Sequence, residues 1–278
     1  MPYATIDAHH HLWKYYAPQY PWISENMGLL RRDFLVQDLM DVLQEADIAG
    51  VVSVQARQTL DETRWLLDLA GRHDFIRGVV GWVSLTDPKV DGDLENFSSH
   101  GKLKSVRHAL HDEPDDLYVL REDFNQGIKL LTDFGLRYDL LIFERHLPQT
   151  IQFVDRHPNQ IFILDHIAKP RIKDGVMSPW KENITELARR ENVFCKLSGL
   201  VTEASWQSWT EADLDPYVQT VLAAFGAKRV MFGSDWPVML LGSSYKSWVS
   251  IVGRAIAHLS EYERERILGK TATEAYRL

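Results

Sequence analysis

The chain has 278 residues, 45% of them hydrophobic, and a formal net charge of -8 at pH 7. This length suits one large domain or two small ones, and the apolar content, with 9 tryptophans, can fill one substantial core. The acidic balance gives no support to a nucleic-acid or anionic-membrane surface. We therefore expect neither nucleic acid nor a membrane as a partner.

The cysteine content and the start of the chain indicate the compartment. The single cysteine, Cys195, lies inside the apolar run NVFCKL, so no disulfide framework can form and a buried thiol is expected. The N-terminus lacks a basic region followed by an apolar stretch, and no apolar segment is long enough to span a bilayer. The expectation is a cytoplasmic protein.

Eight short β-rich runs recur along the chain. They occupy residues 4–11, 50–56, 76–85, 103–110, 137–143, 161–168, 193–200 and 229–238. Near-continuous apolar runs of this kind are typical of parallel strands that are covered on both faces. Helical patterns lie between most of them, as in residues 36–48, where Leu39, Val42, Leu43 and Ala46 share one face.

The alternation of strand and helix predicts an α/β fold, a (β/α)8 barrel formed by residues 1–278 as one domain. A doubly wound open sheet is the alternative. Such a nucleotide-binding sheet would usually carry a glycine-rich turn after its first strand, where this chain has histidines. The aromatic segment 14–34 is too long for a plain connector and is predicted to be a loop over the barrel mouth.

Three consecutive histidines follow the first apolar run, in TIDAHHHLW at residues 5–13. Side chains alternate faces along a strand, so His9 and His11 are expected to point one way and His10 the other. Two imidazoles side by side make half of a metal site or an acid/base cluster. Histidines that only hydrogen-bond within a core are the alternative for this stretch alone.

Several later runs also end in chemically capable side chains, and barrel enzymes place their chemistry at the C-terminal ends of the strands. These candidates for one rim are Arg107, His108, His146, Asp165, His166, Lys169, Lys196, Ser198 and Asp235.

Each of these candidates has a structural alternative. Asp165 could pair with Lys169, and Asp235 could be a turn residue before a proline. His146 could be a surface residue at the start of a helix, and for Lys196 and Ser198 a place in the lower barrel and a role in substrate binding both stay open. The meeting of several such residues on one rim is harder to explain structurally, so we favour a functional site.

The motifs DAHHH, VRHALHDEPD, YDLLIFERHLP, LDHIAKP and GSDWPV, in this order, resemble the amidohydrolase superfamily. Over essentially the whole chain the similarity is to the amidohydrolase-related branch with L-fuconolactonase, L-rhamnonolactonase and 2-pyrone-4,6-dicarboxylate lactonase. The resemblance implies a catalytic core that would also be the ligand set of any bound metal, namely His9, His11, His166 and Asp235. It further implies that substrate is contacted by Arg107, His146 and Lys169.

For the cofactor, the resemblance implies at most one divalent metal ion, with zinc the first choice, and leaves metal-independent catalysis open. Binuclear members of the superfamily use a carboxylated lysine at the end of the fourth strand. Here that region reads SVRHAL, with Lys102 and Lys104 too early in the strand. Three histidines and an aspartate are a suitable set for one zinc ion with room for water.

The implied reaction is opening of a sugar-acid lactone, such as an L-fucono- or L-rhamnono-1,4- or 1,5-lactone, by water with Asp235 as general base. Trp22, Trp82 and Trp236 are expected to bind substrate by stacking on the sugar ring. The alternatives are a 2-pyrone-dicarboxylate-type lactonase, a decarboxylase or hydratase of aromatic or unsaturated acids, and a barrel that only binds a sugar. The expected partner is a small-molecule lactone, and a homodimer is left open.

Overall fold

Eight parallel strands lie side by side in chain order in the computed structural model, which describes residues 4–278. They are β1 Ile6–His10, β2 Gly50–Val54, β3 Ile76–Gly81, β4 Leu103–His108, β5 Arg137–Leu140, β6 Phe162–Leu164, β7 Val193–Leu197 and β8 Val230–Phe232.

The segment after β8 meets β1 and nearly closes the barrel. The His11 N–H donates to Trp236 O at 2.7 Å, and the Asp235 N–H donates to His9 O at 2.8 Å. His10 and Trp236 form a parallel bridge at the same place. The predicted (β/α)8 barrel is confirmed.

Helices follow the strands and cover the outside of the sheet. They are α1 Val36–Ala46, α2 Leu60–Arg72, α3 Val90–Ser98, α4 Glu122–Asp133, α5 Leu147–Asp155, α6 Trp180–Leu187, α7 Leu200–Glu203, α8 Glu211–Phe225, α9 Tyr245–Ala255, α10 Glu261–Glu265 and α11 Thr271–Tyr276. Leu39, Leu43 and Ala46 are buried in α1, because their spacing places them on one helical face. Within residues 4–278 no helix combines the length and apolarity needed to cross a membrane.

The strands end earlier than the apolar runs that predicted them. β6 stops at Leu164, and the next residues form a tight turn in which four non-glycine residues, His166 to Lys169, have φ between 48° and 64°. Left-handed backbone costs an L-residue about 1–2 kcal/mol. The surrounding contacts must therefore hold this turn in place. Because of the turn, the direction of the His166 side chain is not set by the alternation of faces along a strand.

Residues 14–34 pack at the end of the barrel where β1 and β2 finish. Trp13 and Phe34 exchange two backbone hydrogen bonds of 2.9 Å, and the Trp22 indole N–H donates to Ala56 O at 3.0 Å. Tyr20 and Leu30, which belong to this segment, are buried. The connection is thus a packed cover at the C-terminal ends of the strands.

The opposite end of the barrel is filled by α11. The Arg137 guanidinium donates to Ala275 O at 2.6 Å, and the Lys104 ammonium donates to Arg277 O at 2.8 Å. The Tyr276 side chain is 1% exposed and enters the barrel. Lys104 therefore lies at the end of the barrel opposite the histidines.

Candidate active site

His9 and His11, from β1 and the residue after it, meet His166 and Asp235 at the barrel mouth. The His9 and His11 Nε2 atoms are 3.2 Å apart. Asp235 Oδ1 lies 3.4 Å from His11 Nε2 and 3.8 Å from the Nε2 atom of each of the other two histidines. The structure thus brings the four residues of the predicted core together, while their catalytic roles stay predictions.

Burial sets the protonation of this four-residue cluster. It lowers the pKa of His11 to about 3 and of His166 to about 4, and with the nearby Lys196 charge it lowers the pKa of His9 well below its usual value. The three rings are therefore neutral near pH 7. Burial also raises the pKa of Asp235, although the nearby Lys169 ammonium opposes this shift, and the raised pKa makes the carboxylate a stronger base.

The donor atoms of the cluster fit one small divalent ion. His9, His11 and Asp235 each offer an atom within 4.8 Å of the others. The His11 Nδ1–H donates to Val54 O at 2.8 Å, so its Nε2 carries a bare lone pair directed into the cluster. Ligands about 2.0–2.1 Å from a tetrahedral zinc are about 3.3 Å from each other. The observed separations of 3.2–3.8 Å agree with that geometry.

A buried charge network lies beneath His9. The Lys196 ammonium is 2.6 Å from Asp139 Oδ2, 2.9 Å from Asp165 Oδ1 and 3.1 Å from His9 Nδ1. Arg107 Nη1 donates to Asp165 Oδ2 at 2.8 Å. Asp165 therefore pairs with Arg107 and Lys196, and not with Lys169 as the sequence also allowed. Two carboxylates and two cations balance, as buried charges require.

Asp139 was missed at the level of sequence and anchors this network. Its carboxylate accepts hydrogen bonds of 2.6 Å from the Ser105 hydroxyl, the Lys196 ammonium and the Tyr276 hydroxyl. A signal existed, since Asp139 in RYDLLIF and Lys196 in VFCKL are charged residues inside apolar strands. Burying a charge there is favourable only with a partner.

Asp7 was also missed, and it fixes the loop that carries Asp235. Its carboxylate accepts from the His9 N–H at 3.1 Å, from the Ser234 N–H at 2.8 Å and hydroxyl at 2.6 Å, and from the Tyr245 hydroxyl at 2.8 Å. Three of these four bonds, those from Ser234 and Tyr245, tie β1 to the residues after β8. The four bonds hold the backbone at His9 and beside Asp235, so the side chains of these two residues are kept in position.

His166 is positioned by a close approach of glycine. Its Nδ1 lies 2.9 Å from Ser198 Oγ. A Cβ on Gly199, whose φ is +72°, would lie 2.6 Å from the same nitrogen. Only glycine fits there without moving the imidazole.

Gly199→Ala is therefore expected to displace the His166 ring, lower activity and cost about 1–3 kcal/mol of unfolding free energy. Gly175→Ala is the matched control, because Gly175 has φ +66° but open space around the added Cβ. The control should lose only the smaller cost of left-handed backbone and keep its activity. Urea unfolding and kcat measurements distinguish the two, and equal effects would contradict the close-approach argument.

The predicted substrate-contacting polar residues have different surroundings. Arg107 reaches the cluster, with Nη1 3.4 Å from His9 Nε2. Lys169 forms an ion pair with Glu203 from α7. His146 does not join the cluster: its Nδ1 accepts from the Phe143 N–H at 3.1 Å, and its Nε2 lies 2.7 Å from Asp116 Oδ1. Both of its ring nitrogens are engaged in local contacts.

The predicted aromatic contacts also differ in their burial. Trp236 is 2% exposed and packs edge-on against Phe34, with ring centroids 5.3 Å apart, so it lies in the core. Trp22 and Trp82 are half-buried. The Trp82 indole N–H is directed at His108 Nδ1, 3.4 Å away. Of the three tryptophans, only Trp22 and Trp82 therefore keep partly exposed surface, and their contact with substrate stays a prediction.

A barrel with a histidine and aspartate cluster at its rim defines an amidohydrolase-type hydrolase, and the chain belongs to the Amidohydrolase family, which matches residues 6–278. The resemblance stated from the motifs is thereby confirmed. A protein of Burkholderia multivorans named L-fucono-1,5-lactonase is 40% identical, across 98% of this chain and 96% of that protein. A protein of Burkholderia ambifaria with the same name is 35% identical, across 98% and 95%.

Solved structures extend this likeness to the fold. A crystal structure of an amidohydrolase from Burkholderia multivorans, with bound zinc, is 40% identical and has a TM-score of 0.95, over 99% of each chain. The chain is accordingly an enzyme of the hydrolase class.

Proposed function

We propose that the chain hydrolyses a neutral sugar-acid lactone, with L-fucono-1,5-lactone as the first candidate. The observation that carries the proposal is Asp235 Oδ1 within 3.4–3.8 Å of three neutral imidazole nitrogens at the barrel mouth. The names of the two Burkholderia relatives, at 40% and 35% identity, support the substrate class.

Asp235 is the general base of the proposed reaction. Its carboxylate takes a proton from water as the water oxygen bonds to the lactone carbonyl carbon. When the bond from that carbon to the ring oxygen breaks, the protonated Asp235 returns the proton to the alkoxide. The raised pKa of Asp235 suits both steps, since a stronger base accepts the proton and the neutral acid can donate it.

The carbonyl oxygen needs stabilisation as it becomes negative. Arg107 and Lys169 are the cationic donors proposed for this role, and losing such a contact typically costs about 3–4 kcal/mol of barrier. A zinc ion held by His9, His11 and Asp235 would polarise the carbonyl and lower the pKa of water.

The pairing of these cations favours a neutral substrate over an anionic one. Arg107 is held by Asp165, and Lys169 is held by Glu203. Each cation near the cluster is thus already balanced by a carboxylate. A pyrone dicarboxylate, or the aromatic acid of a decarboxylase, would bring further negative charge to a mouth that is already balanced.

A pH-stat assay tests the proposal. Purified protein should release one proton for each L-fucono-1,5-lactone opened, faster than the spontaneous reaction, and should leave 2-pyrone-4,6-dicarboxylate and aromatic acids unchanged. Parallel assays with chelator measure the metal requirement. Inactivity on a panel of sugar-acid 1,4- and 1,5-lactones, with carbon dioxide released from an aromatic acid, would overturn it in favour of decarboxylation.

A further inference from the structure

Each ring nitrogen of His9 faces two neighbours, and the two neighbours of a nitrogen cannot both be hydrogen-bonded to it. Its Nδ1 faces the Lys196 ammonium at 3.1 Å, which can only donate, and Asp165 Oδ1 at 3.3 Å, which accepts. Its Nε2 faces His11 Nε2 at 3.2 Å and Arg107 Nη1 at 3.4 Å. A neutral imidazole has one proton, so it can satisfy one neighbour of each pair.

With the proton on Nε2, His9 makes the two shorter contacts. Its Nδ1 accepts from Lys196, and its Nε2–H donates to the His11 lone pair, which the His11 Nδ1–H bond to Val54 O leaves bare. Asp165 Oδ1, buried at the side of the ring, then accepts no hydrogen bond from His9 and keeps only its ion pair with Lys196 at 2.9 Å. In this form His9 offers no lone pair to the four-residue cluster.

With the proton on Nδ1, the arrangement reverses. His9 donates to Asp165 Oδ1 and adds a hydrogen bond to the ion pair that this buried oxygen makes with Lys196. The bare Nε2 then faces the bare Nε2 of His11 at 3.2 Å, an arrangement that repels unless a cation lies between the two. A histidine ligand needs this bare nitrogen, and a carboxylate on the other ring nitrogen commonly orients it.

We propose that Lys196 and Asp165 are positioning residues that select the tautomer of His9 and thereby set the metal affinity of the site. Lys196 stabilises the Nε2–H tautomer, in which His9 is hydrogen-bonded to His11 and offers no lone pair to an ion. Asp165 stabilises the Nδ1–H tautomer, whose bare Nε2 can bind an ion. Binding of a divalent cation breaks the bond between the two histidines and moves the ring proton of His9 from Nε2 to Nδ1.

The buried surroundings of Lys196 keep it in this role. Its ammonium donates hydrogen bonds to His9 Nδ1 and Asp139 Oδ2, and it forms an ion pair with Asp165 Oδ1. Asp139 is in turn held by the Tyr276 hydroxyl. Removing the donor to His9 should therefore free Nδ1 to carry the proton.

Nitrogen NMR of ¹⁵N-histidine-labelled protein, at one fixed pH, reads the tautomer directly. In the metal-free protein we expect the proton of His9 on Nε2 and that of His11 on Nδ1. One equivalent of zinc should move the His9 proton to Nδ1 and leave the His11 proton in place, so His11 is an internal reference. Spectra of His9→Asn and His11→Asn assign the signals. A His9 proton already on Nδ1 without metal would overturn the proposal.

A charge-balanced double variant, Lys196→Met with Asp139→Asn, tests the role of the lysine. It removes one cation and one anion, so the net charge of the network is kept. Metal-free His9 should shift to the Nδ1–H form, and zinc affinity, measured by competition with a chromogenic chelator, should rise on the order of tenfold. Higher affinity with the tautomer unchanged, or no change in either, would contradict tautomer selection. Neither readout involves a lactone, so this test and that of the proposed function fail separately.

Discussion

Asp235→Asn is expected to lower kcat for lactone hydrolysis by about 10²–10⁴-fold, the usual contribution of a general base, and to leave the barrel folded. The amide has the shape of the carboxylate but cannot accept a proton. The backbone contacts of residue 235, including its N–H bond of 2.8 Å to His9 O, do not involve the side chain. The loss should therefore appear in kcat more than in KM.

Asp116→Asn is a matched control for that variant. Asp116 is half exposed and pairs with His146 and Arg145 outside the cluster. Its replacement should leave kcat near normal, which also shows whether the contact with His146 matters for turnover. Near-normal turnover of Asp235→Asn would make Asp235 structural and move the role of base to a histidine.

The free energy of unfolding is expected to fall steeply as the pH drops from about 6.5 towards 4. Burial lowers the pKa of several histidines from 6.5, to about 3 for His10, His11 and His111 and to about 4 for His157 and His166. These rings are neutral in the folded chain, but they take up protons in the unfolded chain below pH 6.5. Their contribution to stability is present above pH 6.5 and is lost towards the folded-state pKa values, at up to about 1.4 kcal/mol per histidine per pH unit.

His157→Gln isolates one such contribution. His157 is buried away from the cluster, with Nε2 2.8 Å from Asn125 Oδ1, and a glutamine amide can also donate to that oxygen. The slope of stability against pH between 4 and 6.5 should flatten by up to about 1.4 kcal/mol per unit. Urea titrations with chelator present measure the slope, and the exposed residue His258, changed to Gln, is the control. An unchanged slope for His157→Gln would refute the assignment.

The sequence predicted the barrel and its rim because both depend on local pattern. Apolar runs alternating with helical faces require parallel strands, and the spacing of His9 and His11 requires a shared face. The positions of the rim residues can then be predicted, because the C-terminal ends of all strands lie at the same end of a barrel.

The network beneath the rim depends on distant pairing and could not be predicted in the same way. Lys196 lies 57 residues from Asp139, and Tyr276 lies 137 residues from it. Charges inside apolar runs show that partners must exist, but the choice of partner follows from strand register. His166 escaped strand alternation for a different reason, since the chain leaves β6 at Leu164 in a left-handed turn.

The seam where the residues after β8 meet β1 has a consequence for how the enzyme could be divided. A fragment with β1 to β4 would carry His9, His11 and Arg107, and one with β5 to β8 would carry His166 and Asp235. Neither half holds both the paired imidazoles and the carboxylate, so neither alone could form the cluster. Turnover would return only when the two half-barrels reassemble, with β4 against β5 and the residues after β8 against β1. The enzyme could therefore serve as a reporter for fragment complementation.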